Sequence, residues 1–335
     1  MKKLFLFMGK LAISGILALI ILSAFTLVYF NSPISQPQPG KYTNSKLTPN
    51  TVWVGMIEGV GYGVTNNLGY NDADPYDPNA PVIAIMGSSH TEALQVPQDE
   101  TYTAKLQERL SENGIDINCL NLGISGHFLN INVSNFEYLA AEFENAECVV
   151  IETVSLSYTP EELEKMLNGE YHTDRQERGL IYSTAQRIPY FRLLFKQYQE
   201  IKLKNAPPEP ESTEPFDYTA YEEKLELVMQ KLSGIAAEKE FPLVILYHNF
   251  PVVTNGSAAR EDDARMLEIF RNCCERNGIV FVDVTDRFVE HFNETYQLPY
   301  GFSNTTMGAG HLNTVGHSII AQELSKCIST LMEEN

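Results

Sequence analysis

Five short apolar runs, separated by stretches of helical spacing, limit what this chain can fold into. Residues 82–86, 115–120, 148–154, 241–247 and 279–284 each have the length and apolar content of a buried strand. Between them the apolar residues recur at helical intervals. Tyr102, Leu106 and Leu110 fall at i, i+4, i+8 and stop at Asn113-Gly114; Leu225, Val228, Leu232 and Ile235 precede the fourth run; Leu267, Phe270 and Cys274 precede the fifth; Ile320, Leu324, Ile328 and Leu331 close the chain. Strands alternating with helices imply βαβ units. The expected fold is therefore α/β, a three-layer α/β/α sandwich around a mostly parallel five-stranded sheet of flavodoxin-like type.

The first run ends abruptly in Gly87-Ser88-Ser89-His90-Thr91. A strand that stops at a tight turn of small residues can lift a serine hydroxyl out of the sheet edge, where α/β sheets place their chemistry. Ser89 is a poor nucleophile unaided and needs a base nearby in space. Near the other end of the chain, Gly310-His311-Leu312-Asn313 offers one in His311. The same residues also suit a plain turn serine and a helix-capping histidine.

Residues 11–30 carry no charge and match the roughly 20 residues that cross a bilayer. Lys2, Lys3 and Lys10 precede them, which predicts a single-pass membrane anchor with a cytoplasmic tip and the remaining chain outside the cytoplasm. A cleaved signal sequence and a buried core helix are the alternatives. The expected organisation is tip and anchor over 1–31, a flexible stalk rich in Pro, Ser, Asn and Gln over 32–51, and one domain over 52–335. Past the anchor the chain holds 21 basic and 43 acidic residues, a net charge of −22. That balance excludes nucleic acid as an expected partner. Five cysteines lie mostly in apolar stretches without ligand spacing, and the seven histidines form no metal motif with nearby carboxylates, so neither metal nor cofactor is expected.

Residues 161–217 break the strand–helix rhythm. They read as an insertion with a basic, aromatic helical stretch over 187–204 and a Pro- and Glu-rich loop from Asn205 to Glu211.

Four segments in order resemble the SGNH (GDSL-type) hydrolase family. Gly87-Ser88-Ser89-His90-Thr91 matches its first block, Asn121-Leu122-Gly123-Ile124-Ser125-Gly126 its second, the residues after Val149-Val150-Ile151 its third, and His311-Leu312-Asn313 its fourth. Thr65-Asn66-Asn67-Leu68-Gly69-Tyr70 looks like the lead-in of exported members. The resemblance covers about residues 80–330 apart from the insertion. It implies Ser89 as nucleophile, His311 as general base, and the backbone N–H groups of Ser89 and Gly123 as oxyanion donors.

Three positions depart from the family pattern. Ser88 replaces an aspartate that is not the catalytic acid. The third block, Glu152-Thr153-Val154-Ser155, lacks the asparagine that completes the oxyanion hole, leaving Thr153 or Ser155 as substitute donors. Gly308 stands where the triad aspartate belongs, three residues before the histidine. His311 then works with Ser89 as a dyad or borrows an acid such as Glu152 or Asp283. His90 and Asn121 are further pocket candidates. His127, His248 and His317 read as structural histidines.

The resulting expectation is a serine esterase or O-acyltransferase acting on acyl, especially acetyl, esters of cell-wall or exported polysaccharide. The competing expectation is a catalytically impaired domain that binds a glycan or a partner in a membrane polysaccharide-modification complex.

Overall fold

The computed structural model describes residues 2–31, 47–171, 187–204 and 215–334. Most of the expected stalk and the Asn205–Glu211 loop lie outside these residues.

The chain begins with α1 (Lys2–Tyr29), long and apolar enough to cross a membrane and only 6% buried over its most apolar window. It runs directly into β1 (Phe30–Asn31), which pairs antiparallel with β2 (Val52–Gly55), itself paired with β3 (Gly61–Val64). Leu47, within the stretch read as stalk, is buried, and its N–H donates to the Gly69 carbonyl at 2.9 Å. In the lead-in segment, Asn66 Oδ1 accepts the N–H groups of Leu68 and Tyr70, both at 3.0 Å, and so turns the chain toward the main sheet.

That sheet is built from β4 (Val82–Gly87), β5 (Asn118–Gly123), β6 (Ala146–Thr153), β7 (Leu243–Tyr247) and, after the small β8–β9 hairpin (Val252–Thr254, Ser257–Ala259), β10 (Val280–Asp283). All four pairings in it are parallel, in the order β5-β4-β6-β7-β10. Counted along the sheet this is the doubly wound order 2-1-3-4-5, which reverses direction beside β4. The helices between are α2 (Ser89–Glu92), α3 (Tyr102–Glu112), α4 (Leu129–Ser134), α5 (Phe136–Glu142), α6 (Pro160–Leu167), α7 (Pro189–Lys204), α8 (Tyr218–Glu238), α9 (Ala264–Arg276), α10 (Thr285–Thr295) and α11 (Thr314–Glu334).

Alternate residues of the strands divide the core into two layers. Ala84, Met86, Val149, Ile151 and Ile245 face Phe136, Leu163, Leu225, Val228 and Phe270 from α5, α6, α8 and α9. Ile83, Ile85, Val150, Val244 and Leu246 face Leu106, Leu110, Phe288, Leu324 and Ile328 from α3, α10 and α11. The three-layer α/β/α expectation therefore holds.

One expected strand is displaced. The apolar residues of 115–120 suggested its position, yet the ladder runs from Asn118 to Gly123. Two of its six residues are asparagines, and Asn121 is fully buried because its polar groups are all engaged. Its Nδ2 donates to the Thr91 carbonyl (2.8 Å), its Oδ1 accepts the Gly123 N–H (2.9 Å), and its own N–H reaches Asp72 Oδ2 (3.1 Å). A buried polar residue with full hydrogen bonding sits in a strand without showing in an apolar pattern.

Leu324 is fully buried between α3 and the sheet. Leu324→Ala should lower unfolding stability by about 3 kcal/mol. In urea titration this appears as a lower midpoint with an unchanged slope.

Candidate active site

Gly87 ends β4 because nothing larger fits there. A Cβ on it would lie 2.0 Å from Thr91 Oγ1 and 2.5 Å from Glu152 Oε2. The turn that follows rests on Glu152, which is fully buried at the end of β6. Its Oε2 accepts the Ser88 N–H at 2.7 Å and the Thr91 hydroxyl at 3.2 Å. Ser88 caps α2, its Oγ accepting the His90 N–H at 3.3 Å. Ser89 is thereby the first residue of a short helix at the carboxyl end of β4, and among the described residues no protein group accepts its N–H.

His311 stands over this turn from the loop before α11. Its Nε2 is 2.9 Å from Ser89 Oγ. Its Nδ1 is 2.7 Å from Glu58 Oε2, and its backbone N–H donates to Glu58 Oε1 at 2.9 Å. One carboxylate thus holds both the ring and the backbone of the histidine. The Nδ1 contact assigns the ring proton to that nitrogen and leaves Nε2 to accept the serine hydroxyl. Ser89, His311 and Glu58 form one continuous line of contacts.

Glu58 lies in the five-residue loop between β2 and β3, which the sequence reading did not single out. Asn304 clamps that loop from the far end of the chain. Its Oδ1 accepts the Gly59 N–H (2.9 Å) and its Nδ2 donates to the carbonyls of Gly59 (3.0 Å) and Met56 (3.3 Å). Gly310, at φ +89°, makes room for the carboxylate: a Cβ there would fall 2.3 Å from Glu58 Oε1. Gly308 has φ +81°, and a Cβ on it would point at Leu298, 3.4 Å away. Position 308 consequently faces away from the histidine, and the acid comes from another part of the chain.

The two acids expected to assist His311 do other work. Glu152 has its Oε1 3.1 Å from His248 Nε2, off-axis for a hydrogen bond, and supports the nucleophile turn. Asp283 accepts from Arg260 Nη2 (2.7 Å) and from the Thr285 N–H (3.0 Å) at the end of β10.

Nor does the structure bring Thr153 or Ser155 to Ser89. Thr153 Oγ1 donates to the Ser155 carbonyl at 2.8 Å and accepts its N–H, a self-contained turn. The Gly123 N–H is turned to Asn121 Oδ1, so Asn121 is a local turn-former. Gly123 does give α2 its close approach to β5, since a Cβ on it would meet the Glu92 nitrogen at 2.2 Å. Glu92, three residues after the nucleophile and also missed, is buried and accepts the Ser125 N–H at 3.2 Å and the Ser125 hydroxyl. It fixes the loop after β5 against α2.

His90, His127, His248 and His317 are structural or peripheral. His90 is buried beside His311, ring centroids 5.4 Å apart, and its Nδ1 accepts the Leu312 N–H at 3.2 Å. Burial, reinforced by His248, pushes its pKa down to about 3, so it stays neutral next to the base. His317 Nδ1 accepts the Tyr102 N–H at 3.1 Å. His248 Nδ1 is hydrogen-bonded to the Tyr300 hydroxyl. His127 is buried, which lowers its pKa to about 4.

Burial raises the pKa of Glu58, but the hydrogen bonds and charge of His311 outweigh it, with a smaller pull from Lys196 of α7, and the net shift is downward. Glu152 behaves likewise: burial raises its pKa, while His248, His90 and the Ser88 N–H hold it well below the carboxylate range. Both therefore carry negative charge at neutral pH.

No protein-family model matches the chain, and no curated protein matches it. Solved structures similar to it include LAE5, an α/β hydrolase enzyme from the metagenome of Lake Arreo, Spain (16% identity, TM-score 0.42, 76% of this chain and 98% of that one). TesA (14%, 0.39, 75% and 99%) and the acetyl xylan esterase AlAXEase (15%, 0.38, 74% and 100%) are also similar. The case for chemistry rests on the Ser89–His311–Glu58 geometry rather than on these likenesses.

A carboxylate whose folded pKa lies below its unfolded value of 4.5 stabilises the fold above that pH and loses its effect as pH falls through the folded value. The stability difference between wild type and Glu58→Gln should therefore be largest near neutrality and shrink below pH 4.5, as read by urea unfolding at a series of pH values.

Proposed function

We propose that Ser89, His311 and Glu58 are the catalytic triad of a serine ester hydrolase or O-acyltransferase of SGNH type. The observation that carries this reading is the unbroken pair of contacts, 2.9 Å from Ser89 Oγ to His311 Nε2 and 2.7 Å from His311 Nδ1 to Glu58. The impaired-domain reading rested partly on a missing acid, and Glu58 fills that place.

In the proposed cycle Ser89 Oγ attacks the acyl carbonyl while His311 Nε2 takes the hydroxyl proton. The negative charge that develops on the carbonyl oxygen is met by the Ser89 N–H, which has no competing acceptor among the described residues. Glu58 stays ionised and stabilises the imidazolium. Collapse breaks the ester bond, and the departing alkoxide takes the proton from His311, leaving acyl-Ser89. His311 then deprotonates the second acceptor, which attacks the acyl-enzyme and frees the serine. Water as acceptor makes an esterase; a sugar hydroxyl makes an O-acyltransferase.

The substrate proposed is an acyl, especially acetyl, ester of cell-wall or exported polysaccharide. Helix α1 would anchor the protein in the membrane, with Lys2, Lys3 and Lys10 on the cytoplasmic side and the domain outside. Pairing of Phe30 with Gly55 supports a membrane-proximal site. Glu58 lies three residues beyond Gly55, within about 10 Å of extended chain from the residue that pairs with Phe30.

The first test is p-nitrophenyl acetate turnover together with fluorophosphonate labelling. Ser89→Ala should abolish both. Glu58→Gln should lower kcat by about 10³–10⁴-fold with the fold retained, and Gly310→Ala should fall with it because the methyl group displaces the carboxylate. Absence of serine-dependent turnover and of labelling in the wild type would replace catalysis with a glycan- or partner-binding role.

A further inference from the structure

Helix α7 departs from the charge of the protein around it. Residues 187–204 contain five basic residues and one acidic, in a chain whose part beyond the anchor has a net charge of −22. Phe191, Leu194, Tyr198 and Ile201 of α7 are exposed by 39%, 42%, 62% and 59%. Their spacing of three, four and three residues aligns them in one narrow stripe along the helix. Lys202 is exposed, and at 3.6 residues per turn it projects at the edge of this stripe, close to the azimuth of Phe191. Arg187, also exposed, precedes the helix.

The neighbour of α7 indicates what covers the stripe. α7 packs against α1 and β1. The face of α1 that the rest of the protein covers runs through Leu19, Ser23, Thr26 and Phe30, in the half of the helix nearest the domain. Lys196 Nζ lies 5.4 Å from the centroid of the Phe30 ring, where the apolar span ends. An amphipathic, basic helix held at that level has its apolar stripe at the boundary between acyl chains and headgroups. The acidic domain is repelled by an anionic leaflet, and α7 supplies charge that complements one.

We infer that α7 is an interfacial helix, its Phe191–Leu194–Tyr198–Ile201 stripe seated in the outer surface of the bilayer and its basic residues on anionic phospholipid headgroups. This rests on α1 being a membrane anchor, as proposed above. The contact fixes the orientation of the domain.

The test uses the full chain in nanodiscs of phosphatidylcholine alone or with phosphatidylglycerol, with small amounts of a lipid spin-labelled near the headgroup. A Cys327→Ser background leaves the four buried native thiols. Single cysteines at Val28, Tyr198 and Tyr296 then carry an environment-sensitive fluorophore. Quenching at Tyr198 should approach that at Val28 and exceed that at the exposed Tyr296 several-fold. It should rise with phosphatidylglycerol and fall in Lys202→Glu. Quenching at Val28 with Tyr198 no different from Tyr296 overturns the inference and leaves the anchor intact. A blue-shifted but unquenched Tyr198 reporter also overturns it, in favour of cover by protein. An unquenched Val28 reporter removes the anchor and this inference together, without bearing on serine chemistry. Quenching at Tyr198 that ignores both phosphatidylglycerol and Lys202→Glu overturns the headgroup assignment.

Discussion

The two hydrogen bonds from His311 to Glu58 are the contact on which the site is organised. A neutral imidazole can place its proton on either nitrogen and rotate about its side-chain bonds. The carboxylate removes both freedoms, since it accepts a hydrogen bond from Nδ1–H and another from the backbone N–H of the same residue. Much of the surrounding structure serves that grip. The β2–β3 hairpin presents the acid, Asn304 immobilises its loop, the missing side chain of Gly310 leaves it space, and the Gly301 N–H holds the His311 carbonyl at 2.9 Å. The partners are 253 positions apart in the chain, so the contact exists only when the whole sheet has brought its two ends together.

The floor beneath the nucleophile follows the same logic in a drier setting. Glu152 is an ionised carboxylate with no exposed surface, an arrangement that is costly unless its oxygens are satisfied. The Ser88 N–H, the Thr91 hydroxyl and the nearby His248 supply that satisfaction. Tyr300 links His248 to the strand-like bridge with Leu312, next to His311. The turn carrying Ser89 and the loop carrying His311 are thus connected from below as well as across their shared hydrogen bond.

This explains what could be read from the sequence. Ser89 and His311 were legible because each sits in a local pattern: a buried strand broken by Gly-Ser-Ser, and a histidine in a Gly-His-Leu-Asn segment just ahead of the last helix. The parallel sheet was legible because its strands, apart from β5, are each centred on an apolar run. Glu58 was not, because its neighbours Ile57 and Gly59 carry no mark of chemistry and its role is created wholly by contacts distant in sequence. The available signals were indirect: small residues at Gly308, Ala309 and Gly310, and the glycine-rich run from Gly59 to Gly63. Glu152 was noticed as an acid near the right strand end, but a sequence cannot show that its oxygens are already spent on Ser88 and Thr91. The donors sought at Thr153 and Ser155 failed for a related reason, since short side chains two residues apart satisfy each other first.

The spread of the triad along the chain also bears on how the protein is made. Glu58 is synthesised early, Ser89 soon after, and His311 only 222 positions beyond Ser89. The base itself is seated by a loop that the final helix, α11, closes against α3 and the sheet. A nascent chain therefore carries its serine and its acid without a base for most of its synthesis. A chain that stops short of His311 would hold the proposed nucleophile and acid with nothing to take the serine proton.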